Sequence, residues 1–384
     1  MTSLSSGASL RIVADENIPY VHQFFEGFGS VKTLPGREMR AGDLTEADVL
    51  LVRSVTPVNA DLLDGSKVKF VGTCTIGVDH LDQRYLNEKH IAYASAPGCN
   101  AGGVLQYVIS SVNKLCPDWQ QRSFGVIGHG NVGRRLCRAL LGLNIKCVAY
   151  DPFQSSEELA YLRELDEVLG QDIICLHAPY TKDGPFPSHH LLNAEQLNKL
   201  RPDALLLNAG RGGVIHNAAL LAHMQSHPRL KVVLDVWEDE PTVLMALLEQ
   251  VHIATPHIAG YSFEGRVMGT AMIYSALAAA LGESQVLADQ RRTQYLANIF
   301  GEPTDLGGVV LGDAIESTYD IMADHHRMLS ALQSVATDKR GAQFDLLRKT
   351  YPERHEFNQH CIEASHPQAE ALRALEFGIR DSAD

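Results

Sequence analysis

The chain of 384 residues has no C-x-x-C pair, no excess of positive charge, and no apolar run near the about 18 residues that a membrane helix needs. Each absence removes a class of function. The seven cysteines, Cys74, Cys99, Cys116, Cys137, Cys147, Cys175 and Cys361, are odd in number and scattered, several of them in apolar stretches. They read as buried, reduced thiols rather than as a disulfide frame or a zinc site. Lys and Arg number 33 against 46 Asp and Glu, a formal net charge of -13. No basic field is available to displace phosphate counterions, which argues against nucleic acid as a general partner. An anionic substrate must then be held by local arginines or backbone N–H groups. Without a spanning segment, no membrane partner is expected. The opening MTSLSSGASL lacks the basic and apolar regions of a secretory signal and reads as a native or added extension, so a cytoplasmic location is expected. Internal repeats and low-complexity tracts are also missing.

What is present is an α/β pattern. Short β-branched runs alternate with helical periodicity over the first 260 or so residues, the rhythm of βαβ units and parallel sheets. A first block predicts strands at 11–14, 49–52, 70–73 and 91–95. Each ends in a polar or Gly-containing stretch, among them Arg53-Ser54 and Thr75-Ile76-Gly77. Ligands of open α/β sheets bind beyond the carboxyl ends of strands, so substrate contacts are to be sought there. A second block opens with a helix over 101–115 and continues with strands at 124–127, 146–150, 172–176, 204–207 and 232–234. A helix over 262–281 packs back on the first block. Beyond Gly282 the βαβ rhythm is lost. The expected organisation is a domain over 1–99 completed by 262–282, a dinucleotide-binding Rossmann domain over 100–261, and a small α+β domain over 283–384.

Gly128-His129-Gly130-Asn131-Val132-Gly133 matches G-x-G-x-x-G in its full setting. An apolar strand enters it, a helical pattern leaves it, and a second strand ends at Asp151, eighteen residues beyond Gly133. The glycines Gly128, Gly130 and Gly133 permit a tight turn and close approach of a pyrophosphate to the helix N-terminus. Asp151 can accept from the ribose hydroxyls and repels a 2′-phosphate, so the cofactor is expected to be NAD rather than NADP.

Three later segments each follow an apolar run and offer one polar side chain. These are Arg211 in Asn208-Ala209-Gly210-Arg211-Gly212-Gly213, Glu240 in Asp235-Val236-Trp237-Glu238-Asp239-Glu240-Pro241, and His257 in Thr255-Pro256-His257-Ile258-Ala259-Gly260. A guanidinium can bind a carboxylate bidentately and polarise a neighbouring carbonyl. An imidazole exchanges a proton near neutral pH, and a carboxylate on its far nitrogen fixes the tautomer and favours the imidazolium. The order suits hydride transfer at C2 of a 2-hydroxy acid. No metal site is expected: His189-His190 has no third ligand at suitable local spacing, and His325-His326 reads the same way. Trp237, His80, His129 and His177 read as packing or structural residues.

In these motifs the chain resembles the D-isomer-specific 2-hydroxyacid dehydrogenases over residues 10–282. A narrower likeness within that family rests on four stretches: Asp15-Glu16-Asn17-Ile18-Pro19; Gly72-Thr73-Cys74-Thr75-Ile76-Gly77-Val78-Asp79-His80; Ala96-Pro97-Gly98-Cys99-Asn100-Ala101; and His257-Ile258-Ala259-Gly260-Tyr261-Ser262. The resemblance implies a flavodoxin-like substrate domain beside the Rossmann domain, with the active site in the cleft between them. It implies Arg211 as carboxylate binder, His257 as acid/base and Glu240 as its partner. It also implies NAD contacts at Asn131, Val132, Asp151, Ala209, Gly210, Asp235 and Gly260, and substrate contacts at Ser54, Thr75 and Tyr261. Arg53, beside Ser54, is a further candidate for a phosphorylated 2-hydroxy acid. Gln106 departs from the Glu common in the wider family. The C-terminal region is similar to a dimerisation domain, and its Leu287, Val310, Ile315 and Phe344, among others, need burial, so a homodimer through it is expected. Phosphoglycerate or glycerate as substrate, and an NAD-sensing regulatory protein on the same fold, stand as alternatives.

Overall fold

The computed structural model describes residues 9–155, 157 and 159–381; the expectation for the first eight residues falls outside these. The chain forms two compact units. One comprises the residues up to Asn100 together with Phe263–Glu302; the other comprises Ala101–Ser262 and the residues from Pro303 on.

The first unit carries β1 (Leu10–Asp15), β2 (Gly29–Leu34), β3 (Val49–Val52), β4 (Phe70–Thr73) and β5 (Ala92–Ala94), all parallel, in the order β2-β1-β3-β4-β5. That is the flavodoxin-like order. β3 and β4 are buried along their whole length, which is why they are unbroken apolar runs in sequence. β2 was not expected: as an edge strand it alternates half-buried and exposed residues and carries Gly, Ser, Lys and Thr. The helix Phe263–Ala280 lies on this sheet, with Tyr274 packed against Phe24, Phe25 and Phe28. The helix Gln285–Phe300 continues the same core, its Tyr295 ring 5.3 Å from Phe24 and 5.9 Å from Tyr274. The boundary expected after Gly282 therefore falls between Glu302 and Pro303.

The second unit has a six-stranded parallel sheet of β6 (Phe124–Ile127), β7 (Cys147–Tyr150), β8 (Ile173–Leu176), β9 (Leu205–Asn208), β10 (Lys231–Leu234) and β11 (Ile253–Ala254). Its order is β11-β10-β9-β8-β6-β7. The chain passes from β6 to β7 on one side and returns to β8 on the other. The switch point for a ligand thus lies at the carboxyl ends of β6 and β8. A small parallel sheet of β12 (Thr304–Asp305), β13 (His360–Glu363) and β14 (Gly378–Arg380) follows. Among the described residues, those from Pro303 on have no core of their own. Leu311, Ile315, Phe357, Ile362 and Phe377 join the cluster of Leu105, Ile109 and Leu136; Met328, Leu332, Phe344 and Leu347 join that of Trp237 and Leu248. Gln106 explains its departure here: it is fully buried and its Nε2 donates to the His355 carbonyl at 2.8 Å, a bond that a carboxylate could not make. None of the seven cysteines, all of them among the described residues, is in a disulfide. Among the described residues no helix is long and apolar enough to cross a membrane.

Candidate active site

The nucleotide loop is built by close backbone approach. Gly128 follows β6 at φ +91, and a Cβ there would lie 2.6 Å from the Ala178 nitrogen beyond β8. A Cβ on Gly133 would lie 2.0 Å from the Gly128 carbonyl oxygen. Gly130, the residue before the helix Asn131–Gly142, has open space where its Cβ would be. Two glycines are thus required by the turn and the third leaves room in front of a helix N-terminus, a cradle that fits a pyrophosphate. Asn131 is exposed and Val132 half-buried. Asp151 is half-buried after β7, with its carboxylate accepting from the backbone N–H groups of His129 at 2.9 Å and Phe153 at 3.0 Å. The residues present therefore fit a dinucleotide. Beside them, His177 presents a feature missed in sequence. Both its ring nitrogens are buried without a hydrogen-bond partner, and burial pushes its pKa down to about 4. His129 is structural, bonded to Gln154 and to the Tyr161 hydroxyl.

The three candidate catalytic segments follow β9, β10 and β11. Asn208 closes the first loop: its Oδ1 accepts from the Gly210 N–H at 3.1 Å and its Nδ2 donates to the Arg211 carbonyl at 3.0 Å. The half-buried Arg211 donates from Nη1 to the Gly210 carbonyl at 2.9 Å. Gly212 sits so tightly on the Trp237 carbonyl that a Cβ would lie 1.9 Å from it, which ties this loop to the one bearing Glu240. Glu240 Oε1 is hydrogen-bonded to His257 Nδ1, and Glu240 Oε2 accepts from the Trp237 N–H at 3.2 Å. Burial pushes the Glu240 carboxyl up, but the bond to His257, the Trp237 N–H and the charge of Arg348 outweigh it and hold its pKa below the usual glutamate value. His257 occupies the left-handed region at φ 57.

Asp235 locks that backbone in place. It is buried, and its carboxylate accepts from the Thr255 hydroxyl (2.7 Å) and from the N–H groups of Ile258 (2.7 Å) and Ala259 (3.0 Å). Desolvation raises its pKa in spite of these bonds. The residue expected at the nucleotide is thus engaged in fixing the loop around His257. Trp237 is buried with its indole N–H on the Thr255 carbonyl at 3.0 Å, a packing role. His190, which has no third ligand nearby in sequence, gains remote partners in space: it is hydrogen-bonded to Glu238 and stacked on His216, and their ligand atoms lie within 4.8 Å of one another. Glu238 Oε2 also accepts from the Asn217 N–H at 2.9 Å, at the start of the helix Asn217–Ser226.

Arg53, Ser54 and Thr75 belong to the first unit, at the carboxyl ends of β3 and β4. Arg53 donates from Nε to the buried Asp15 carboxylate at 3.1 Å, and Ser54 is exposed. Thr75 shares a 2.8 Å hydroxyl contact with Thr73, whose hydroxyl is 2.9 Å from His80 Nε2. Tyr261, in the second unit, meets a residue that no motif pointed to: Arg348 donates to its hydroxyl at 2.8 Å across 87 positions of sequence.

Residues 106–259 match the family model described as the NAD binding domain of D-isomer specific 2-hydroxyacid dehydrogenases, and 304–376 match a domain of unknown function. The chain is similar to the erythronate-4-phosphate dehydrogenase of Saccharophagus degradans, at 46% identity over 96% of this chain and 99% of that one. It is similar to that of Teredinibacter turnerae at 47% over 97% and 100%. Among solved structures, a glyoxylate reductase from Paecilomyes thermophila (21% identity, 72% of this chain and 97% of that one, TM-score 0.60) shares the fold. So does an NAD+-bound 3-phosphoglycerate dehydrogenase from Entamoeba histolytica (22% identity, 70% and 94%, TM-score 0.58).

Proposed function

The chain belongs to the erythronate-4-phosphate dehydrogenases, within the D-isomer specific 2-hydroxyacid dehydrogenases, and from that membership we propose the reaction its site performs. It is an NAD-dependent dehydrogenase that oxidises 4-phospho-D-erythronate at C2 to 2-oxo-3-hydroxy-4-phosphobutanoate, a step of vitamin B6 synthesis. The observation that carries this reading is the hydrogen-bonded Glu240–His257 pair, set at strand ends of the same sheet that carries the glycine loop. NAD, held by Gly130, Asn131, Val132, Asp151, Ala209, Gly210 and Gly260, supplies the hydride acceptor. Arg211 binds the substrate carboxylate and polarises C2. His257 takes the hydroxyl proton at Nε2 as the C2 hydrogen leaves as hydride, and Glu240 stabilises the imidazolium that forms. Arg53, Ser54, Thr75 and Tyr261 hold the remainder of the substrate.

Assembly as a homodimer through the region after Gly282 fits four exposed apolar side chains there, Val286, Leu287, Val310 and Leu346. The setting of the reaction is cytoplasmic. NADH formation by the purified protein on 4-phosphoerythronate, D-3-phosphoglycerate and D-glycerate, side by side, tests the function. 4-Phosphoerythronate should give the highest kcat/KM, and NADP should replace NAD poorly because Asp151 repels its 2′-phosphate. Preference for another acid would move the substrate. Binding of NAD without turnover of any would leave a sensor.

A further inference from the structure

Arg348 stands in the last turn of the helix Arg340–Lys349. Its Nη2 donates to the Tyr261 hydroxyl at 2.8 Å, and its guanidinium lies 5.4 Å from the centre of that ring. Tyr261 follows His257 by four residues in a turn closed by the Tyr261 N–H on the Ile258 carbonyl at 2.9 Å. The Arg348 charge also reaches Glu240, whose carboxyl it helps to hold low. Yet Arg348 Nε is buried with no hydrogen-bond partner, and Asp345, at 4.0 Å from Nη1, is at the outer limit of an ion pair.

Two further arginines of this unit are each partly engaged, and each also keeps buried nitrogens without a hydrogen-bond partner, Nε and Nη2 of Arg327 and Nε and Nη1 of Arg354. Arg327 pairs with Asp324 at 3.1 Å, and Arg354 donates to the Ala259 carbonyl at 2.5 Å while lying over the Tyr319 ring at 4.4 Å. Arg354 braces the loop that carries His257 and Tyr261; Arg348 is the one whose guanidinium meets the Tyr261 hydroxyl. A buried donor without an acceptor is unfavourable, and the Arg348 side chain, 26% exposed, keeps an open side from which a ligand can complete it. We propose that Arg348, together with the Tyr261 hydroxyl, is the subsite for the phosphate monoester of the substrate. The proposal rests on the reading above that the substrate is phosphorylated at the end remote from its carboxylate. Arg211 is occupied by that carboxylate, and the glycine loop by the cofactor. A guanidinium fork matches phosphate oxygens. In a chain of net charge -13 the attraction has to come from such a local cation. Tyr261 accepts from Arg348 and keeps its own proton to donate to a phosphate oxygen.

The test compares kcat/KM for 4-phosphoerythronate and for erythronate in the full-length enzyme with NAD. In Arg348→Gln the preference for the phosphorylated acid should fall about 10- to 150-fold, the range for one charge-assisted hydrogen bond, and chiefly through KM. Arg348→Lys should recover part of it, and Tyr261→Phe should cost less. Inorganic phosphate should compete with 4-phosphoerythronate, and its binding should weaken in Arg348→Gln. A purely structural Arg348 would lower turnover of both acids together and leave their ratio unchanged; that result overturns the proposal. If Arg348→Gln fails to fold, an unchanged ratio in Arg348→Lys overturns it equally. If the wild type handles both acids alike, the substrate reading fails separately. Arg348 is then judged by phosphate binding alone, and an equal Kd in wild type and Arg348→Gln overturns the subsite.

Discussion

The imidazole of His257 can accept a proton at Nε2 only while its Nδ1 carries one, and Glu240 is the group bonded to Nδ1. His257→Gln should therefore cut turnover by about 10²- to 10⁴-fold, the usual worth of a positioned base, with NAD affinity nearly intact. Stopped-flow turnover beside a cofactor titration measures both, and near wild-type rates between about pH 6 and 9 would remove His257 from the reaction. Glu240→Gln acts differently. It removes the carboxylate that accepts from Nδ1 and fixes the tautomer, so turnover should fall less than in His257→Gln, with NAD affinity again nearly intact. Wild-type turnover in Glu240→Gln would mean that the pair does not act together. Sequence exposed these residues because each follows a strand in a polar motif. It did not expose Arg348, whose partner Tyr261 is 87 positions away and whose local sequence has no motif. Asp235 is an intermediate case: its position after β10 was legible, but its bonds to Thr255, Ile258 and Ala259 exist only once β10 and β11 are side by side.

At the scale of elements, the turn from β6 into the helix Asn131–Gly142 separates folding from binding. Gly133→Ala drives a methyl into the Gly128 carbonyl and should lower the thermal midpoint as well as NAD affinity. Gly130→Ala meets open space, so it should melt like wild type and yet bind NAD more weakly. Equal NAD affinity in Gly130→Ala, measured by protein fluorescence, would place the pyrophosphate elsewhere. The end of β8 carries an acid weakness. His177 is neutral in both folded and unfolded chains above its ordinary pKa of 6.5, so its burial adds no pH dependence there. As pH falls from 6.5 towards about 4 the unfolded chain takes up a proton that the folded chain refuses, and stability is lost. A pKa held at about 4 corresponds to roughly 3 kcal/mol by pH 4, at 1.36 kcal/mol per unit. Chemical denaturation at pH 7 and pH 4 should show that loss in wild type and not in His177→Asn; a loss of equal size in both would acquit His177. The helix Ala101–Leu115 and strands β3, β4 and β6 were legible to the residue because the strands are buried throughout, the helix from Ala101 to Val112, and all are bounded by polar or turn residues. β2 escaped because an edge strand need not be apolar.

For the whole molecule, the region from Pro303 on cannot be treated as a detachable appendage. Ile315, Phe344, Phe357 and Phe377 fill cores that belong to the NAD-binding unit, so truncation after Glu302 should give aggregating protein rather than a well-behaved monomer. A sharper test of assembly keeps the chain whole. Val310 and Leu346, exposed in the single chain, should both tolerate replacement by Lys as far as folding is concerned, and the proposed homodimer has the wild type sedimenting as a dimer and the double variant as a monomer. A dimer that persists would place the interface on other residues. The sequence by itself determined the α/β class, the glycine loop with Asp151, and the Arg211, Glu240 and His257 candidates, because hydrophobic period and strand-end motifs are local properties that survive without coordinates. Only the tertiary structure decided that Gln285–Phe300 joins the first unit, that the later C-terminal residues complete the cores of the second, and that Arg348 meets Tyr261. These are contacts between segments far apart in the chain, and helices with one apolar face carry no mark of the surface that will cover it.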